Sequence, residues 1–231
     1  REQLAQLLLN EAGVRYSDES EYVHDMRVAV RRMRTALRLF ASYFRRKRLD
    51  RFGRALQALG QRLGALRDHD VALARLEKSR EPSGHSDSHA GIESNWLRAR
   101  NTLYRELLDW LDSEEYRRFL VEFSAFCAQA GKGARKFKVK PGERPLPYQV
   151  CHVLPALLME RYARIRAFEP LFASGEQLPA ATLHRLRLQC KRLRYTLEFA
   201  QPLLGVAGQK LILALRALQD QLGALNDAAV S

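Results

Sequence analysis

Cysteine is scarce in this chain: Cys127, Cys151 and Cys190 stand far apart and form no C-x-x-C pair. That spacing argues against a disulfide framework or a zinc site and suits a reducing cytoplasm. Cys190 reads as a small buried thiol. Apolar runs are short: none reaches the roughly 18 residues of a membrane span, and no signal peptide is visible. No membrane partner is expected. No alternating run of β-branched residues competes with helical periodicity, so the expected fold is all-α. Catalytic signatures are missing too. There is no G-x-x-x-x-G-K-[ST], because Gly131-Lys132-Gly133 lacks both the spacing and the Ser/Thr, and no G-x-S-x-G or H-E-x-x-H occurs. Asp68-His69-Asp70 are neighbours on a helix and point in different directions, which reads as ordinary surface rather than a metal site. Nothing assembles a nucleophile with its base. A binding module is expected, not an enzyme, with no cofactor and no metal.

The last shortage is of acid in particular places. Net charge is +13 and the pI about 10.1. From His24 to Arg62 there are twelve Arg/Lys against Asp25 and Asp50, and from Leu183 to Leu197 five Arg/Lys and no acid. These stretches carry more than the whole excess, which points to a polyanionic partner rather than to general solubility.

The two stretches repeat one another. His24-Asp-Met-Arg27-Val-Ala-Val-Arg31-Arg32-Met-Arg34 returns 160 positions later as His184-Arg-Leu-Arg187-Leu-Gln-Cys-Lys191-Arg192-Leu-Arg194. A second pair follows each copy: the segments 55–68 and 214–227 share nine of fourteen residues, ending in Leu-Gly-Ala-Leu-x-Asp at Asp68 and Asp227. Two ordered matches at nearly one offset indicate a tandem duplication.

Helical periodicity runs from Arg1 to Gly13, then from the N-cap types Ser17 and Asp18 to about Arg48, and from about Leu49 through Glu77. Residues 79–91 are polar, small and Pro/Gly-bearing, and are expected to form a flexible loop. Further helices span about Ile92–Leu111 and Ser113–Ala130. The basic run from Gly131 to Gly142 then breaks the pattern, giving expected bundles over 1–140 and 141–231. In the second, helices run from about Leu146 to Phe168, Ala180 to Leu204 and Gly208 onward, with Pro170, Pro179 and Pro202 as punctuation. The simplest architecture is two helical bundles related by a pseudo-twofold. The sequence starts at Arg1 and stops at Ser231 inside a helical pattern, so it reads as a trimmed product whose second bundle lacks its end.

On a helical wheel His24, Arg27, Arg31, Arg34 and Arg38 form one stripe, with Val30, Met33, Leu37 and Phe40 on the opposite side. The second copy places His184, Arg187, Lys191 and Arg194 in line, with Leu186, Leu193 and Leu197 behind. Arg27 to Arg38 covers about 16 Å, a length suited to a chain of phosphates rather than one phosphate. Like charges at i,i+3 and i,i+4 repel by a few tenths of a kcal/mol per pair, and an anionic ligand would offset this. His24 and His184 open the stripes; each either donates to a phosphate when protonated or bonds a neighbouring helix and fixes its packing. Arg32 and Arg192 lie off the stripe and read as structural ion-pair partners. Gly64/Ala65 and Gly223/Ala224 allow close helix approach, and Asp68 and Asp227 are placed to hold an Arg of the adjacent cationic helix. Charge alone adds the Arg45-Arg46-Lys47-Arg48 cluster as further phosphate contacts.

Four ordered motifs, V-H-x-x-R-V-A-x-R-R-x-R, L-G-x-L-R-D, L-H-x-x-R-x-x-x-K-R-L-R-Y-x-L-E and L-G-x-L-N-D, resemble the CHAD family, the conserved histidine α-helical domain. The resemblance spans essentially the whole chain. It implies two four-helix bundles with internal symmetry and a basic surface that binds inorganic polyphosphate without catalysis, and association with polyphosphate granules. By position, His24, Arg27, Arg31 and Arg34 fall on one motif, and His184, Arg187, Lys191 and Arg194 on the other. The alternative is a nucleic-acid-backbone or chromatin-associated protein. Base reading normally enlists Asn, Gln or Arg aimed at base edges, or aromatic stacking on single strands. The first stripe has no Asn, Gln or aromatic residue, so it offers phosphate contact without base reading.

Overall fold

Leucine recurs in Leu56, Leu59, Leu63 and Leu66 at the three-to-four spacing that puts one face of a helix against a core, and all four are fully buried. The computed structural model of the chain describes residues 1–78, 86–135, 150–173 and 178–228. Their regular structure is helical, apart from one isolated antiparallel bridge between Phe44 and Ala134. In order come α1 (Glu2–Tyr16), α2 (Ser20–Leu39), a 3-10 turn (Ala41–Tyr43), α3 (Arg46–Lys78), α4 (Ser86–Asp112), α5 (Glu114–Ala128), α6 (Val150–Arg166), α7 (Glu169–Ala173) and α8 (Ala180–Ala228). No helix among the described residues is long and apolar enough to cross a membrane.

Two compact units divide at Arg135/Lys136. The first packs α1 to α5 around one core that includes Leu7, Met26, Val30, Leu107 and Leu111. An aromatic ladder closes one end, with Phe52 meeting Phe123 at 5.1 Å and Phe126 at 5.2 Å between ring centroids. Tyr116 is buried in the same core, and its hydroxyl donates to the Glu11 carboxylate at 2.5 Å. Burial first, and that carboxylate second, push the phenol far above its usual range. The second unit holds smaller clusters, Leu186–Cys190–Leu222 and Leu193–Leu197–Ile212. Cys190 is the buried thiol expected, and burial raises its pKa, which keeps it unreactive.

Three boundaries differ from the sequence reading. α2 stops at Leu39, well short of Arg48. The chain turns through 41–43 and pairs alongside residues 133–135, with Arg45 N donating to Gly133 O at 2.8 Å and Arg135 N to Tyr43 O at 2.9 Å. Phe44 meanwhile seats its ring against Phe126 at 5.4 Å. A straight helix would forfeit these contacts, and no Gly or Pro marks the stop locally. α4 begins at Ser86, inside the expected 79–91 loop; residues 79–85 lie outside the described residues. Ser17 caps nothing in α2: its hydroxyl accepts from Glu19 N at 3.2 Å and the helix starts at Ser20.

Where Pro202 interrupts α8, Gly205 adopts φ +56° and ψ −143° and splits it into two arms, residues 180–204 and 206–228. Only glycine takes that conformation without strain. Gly13 is required for the other reason, space. A Cβ there would lie 2.2 Å from Tyr22 Cγ. Gly→Ala inside a helix ordinarily stabilises by roughly 0.5–1 kcal/mol; Gly13→Ala is instead expected to destabilise by about 1–3 kcal/mol through overpacking. Urea denaturation checks the sign.

Candidate anion-binding site

α2 buries Val23, Met26, Ala29, Val30 and Met33, and its cationic stripe borders this core rather than lying directly opposite it. Arg27, Arg31 and Arg34 are in consequence half-buried, and only Arg38 is exposed. Two of them, Arg27 and Arg34, lie across glycines of α3. A Cβ on Gly64 would sit 3.7 Å from Arg27 Nε, and one on Gly60 would sit 3.4 Å from Arg34 Nη1. Both distances are ordinary van der Waals separations, so the guanidinium ends of Arg27 and Arg34 rest directly over the two glycines. Arg27 and Arg34 make no hydrogen bond or ion pair among the described residues. Desolvation, then the neighbouring charge of Arg38, lowers the Arg34 pKa. A base depressed in this way destabilises the fold at every pH below its folded pKa, and relief would come only in strong alkali. The penalty is therefore constant around neutrality.

The second unit repeats this crossing. A Cβ on Gly223 would sit 3.7 Å from Arg187 Nε, and Arg187 Nε is buried without a hydrogen-bond partner. His184 and Lys191 are exposed, with the Lys191 ammonium 5.9 Å from the Tyr195 ring centre. Farther along, the copies part. Glu198 occupies the position of Arg38, and Gln219 that of Gly60. Arg194 Nε donates to Gln219 Oε1 at 3.0 Å, and its Nη1 forms an ion pair with Glu198. Arg194, expected on the stripe as a phosphate ligand, is thus already matched by internal partners, because Glu198 lies one turn ahead on the same face.

The histidines bond no neighbouring helix: neither His24 nor His184 makes a hydrogen bond among the described residues. Ligand atoms of His24, Glu21 and Asp25 lie within 4.8 Å of one another, so acid flanks the beginning of the first stripe. Arg32 and Arg192 make no ion pair among the described residues.

Asp68 does not take the role expected of it. It is exposed and pairs with no arginine among the described residues. Asp70 is the acid turned inward: its Oδ1 accepts from Arg100 Nε of α4 at 2.6 Å, while His69 Nδ1 meets Ala65 O at 3.0 Å. Helical geometry sends these neighbours to different partners. The side chain of Asp227 is outside the described residues.

Early termination of α2 moves Arg45, Arg46, Lys47 and Arg48 to the start of α3, where all four are exposed. Three of them occupy the first turn of a helix, the end that prefers anions. Between this turn and the end of α2 lies a cleft of ≈ 1030 Å³ lined by Arg34, Arg38, Arg46, Arg54 and Arg135, with Asp50 its one acid among the described residues. Arg54 and Arg135 escaped the sequence reading. Arg54 lies just outside both repeats, and Arg135 belongs to a basic run whose place depends on the bridge at Ala134.

The CHAD domain family model matches residues 1–231. Two solved structures are similar. The CHAD domain from the plant Ricinus communis superposes with a TM-score of 0.70 at 26% identity, covering 99% of this chain and 72% of that one. PptA from Streptomyces chartreusis gives 0.64 at 16% identity, covering 98% and 81%, a likeness of fold alone. No curated protein matches the chain.

Proposed function

This chain belongs to the CHAD-domain family, which is linked to polyphosphate, and from that premise we propose that it binds inorganic polyphosphate without catalysis, through its two cationic helices. One observation carries the reading: in each unit an arginine with no acidic partner among the described residues, Arg27 or Arg187, lies across a glycine, Gly64 or Gly223, of the following helix. Among the described residues, neither guanidinium is compensated by an acid. Such an arrangement costs stability unless an anion completes it. We read the two units as products of one duplication built around this crossing.

Arginine forks give charge-assisted, bidentate hydrogen bonds to phosphate oxygens, and Lys191 adds a point charge. Each phosphate neutralised releases condensed counterions, so affinity falls steeply with salt. His24, Arg31, Arg38 and His184 extend the contact surface along their helices. The first stripe contains no Asn, Gln or aromatic residue, which favours a polyanion without bases over nucleic acid. A cytoplasmic protein that associates with polyphosphate granules fits this activity.

The test is titration with polyphosphate and with DNA at equal phosphate concentration across a salt series. Polyphosphate is expected to bind tighter at every salt concentration, with both curves steep. Equal affinities would reduce the reading to general polyanion binding.

A further inference from the structure

The first stripe has an end, and its counterpart in the second unit does not share it. Beyond Arg38 the chain leaves α2, passes through the 3-10 turn and is fixed to residues 133–135 by the bridge at Phe44. That hairpin-like junction carries Arg135 to the same cleft as Arg34, Arg38, Arg46 and Arg54. Arg135 is held there by its own backbone bond to Tyr43 O and by Nη1 donating to Ser42 O at 3.3 Å. Asp50, the one acid among the described residues that line the cleft, is half exposed and reaches Arg46 only at 3.7 Å. The cleft thus gathers five guanidinium groups against one weakly engaged carboxylate. In the second unit, Glu198 stands at the position of Arg38 and ties up Arg194, so the repeated helix there lacks this cationic end.

Phosphates differ along a chain in a way this geometry can distinguish. An internal phosphate has two non-bridging oxygens and one charge. A terminal phosphate has three non-bridging oxygens and, like a phosphomonoester, carries about −1.5 to −2 near neutral pH. Converging arginines suit the terminal group, since each fork needs a pair of oxygens and charge density is highest there. A polyphosphate lying along α2 would meet the cleft where the stripe stops, because the turn closes the way forward.

We infer that the cleft at the α2–α3 turn is an end-group subsite, in which Arg54 and Arg135, together with Arg34, Arg38 and Arg46, hold the terminal phosphates of a linear polyphosphate. The inference rests on the polyphosphate-binding reading and adds a preference for chain ends.

Linear tripolyphosphate and cyclic trimetaphosphate separate the two claims, because both contain three phosphates and only the linear one has ends. Calorimetric titration at fixed ionic strength is expected to show the wild-type chain preferring tripolyphosphate by roughly tenfold or more, the worth of one charge-assisted hydrogen bond. Arg54→Gln/Arg135→Gln, at exposed positions outside the core, is expected to erase that preference while trimetaphosphate binding changes little. A charge-matched control, Arg105→Gln/Arg118→Gln, should keep it. A preference that survives in the Arg54/Arg135 variant, or none in the wild type, overturns the end-group subsite. Long-chain polyphosphate, titrated alongside, decides the broader reading separately. If it binds without any end preference, the subsite fails and polyphosphate binding stands; if it does not bind, the broader reading fails whatever the short probes show.

Discussion

Arg34→Gln/Arg38→Gln is expected to lower long-chain polyphosphate affinity by about 10²–10⁴-fold, from two lost charge-assisted hydrogen bonds of roughly 1.5–3 kcal/mol each. Folded stability should hold or rise. Arg34 is half-buried with no acidic partner among the described residues, and both desolvation and Arg38 weigh against its charge. Removing the two guanidiniums relieves that penalty and leaves Val30 and Met33 packed as before. Circular dichroism and the thermal midpoint, measured beside the titration, check this. A fall in helicity or midpoint that accounts for the lost binding would make the stripe structural. The lost contacts are electrostatic, so the deficit should shrink as salt rises.

Glu198→Ala should have the opposite character, a large loss of stability with binding retained. Glu198 is buried, and its carboxylate is the ion-pair partner of Arg194, whose side chain is 12% exposed, with Arg216 joining at 3.5 Å. Removing one member of a buried pair strands the other and costs about 3–5 kcal/mol, a large part of the 5–15 kcal/mol typical of a folded domain. The small clusters around Leu193 and Leu197 make the second unit the place where the loss is felt. Arg194 would then be available to phosphate. Saturating polyphosphate is accordingly expected to raise the melting temperature of Glu198→Ala by more than it raises that of the wild type, because ligand stabilisation grows with affinity for the native state. Equal increments would show that Arg194 stays out of contact with ligand even when unpaired.

Arg194 illustrates what a linear reading can miss. Its stripe position is visible in the sequence, and so is Glu198 four residues on. Gln219 enters only when the two arms of α8 fold against each other, and the pair of partners together turns a candidate ligand into an internal contact. Asp68 shows the converse. Its place in a repeated motif suggested a hold on the cationic helix, yet Asp70, two residues later, makes the buried ion pair. Two residues turn a helix by more than half a revolution, and only packing with α4 selects which acid faces inward.

The repeats, the helical class and the direction of the charge were decided by the sequence alone. Each depends on periodicity, and periodicity is a local property of the chain. The end of α2 depended instead on Phe44 meeting Phe126 and on bonds between residues some ninety positions apart. Tertiary structure also set how deeply each arginine sits, since burial is conferred by neighbours such as Gly60 and Gly64 rather than by the residue itself. The cleft that gathers Arg54 and Arg135 with the end of the stripe belongs to the same class, because long-range contacts brought its walls together.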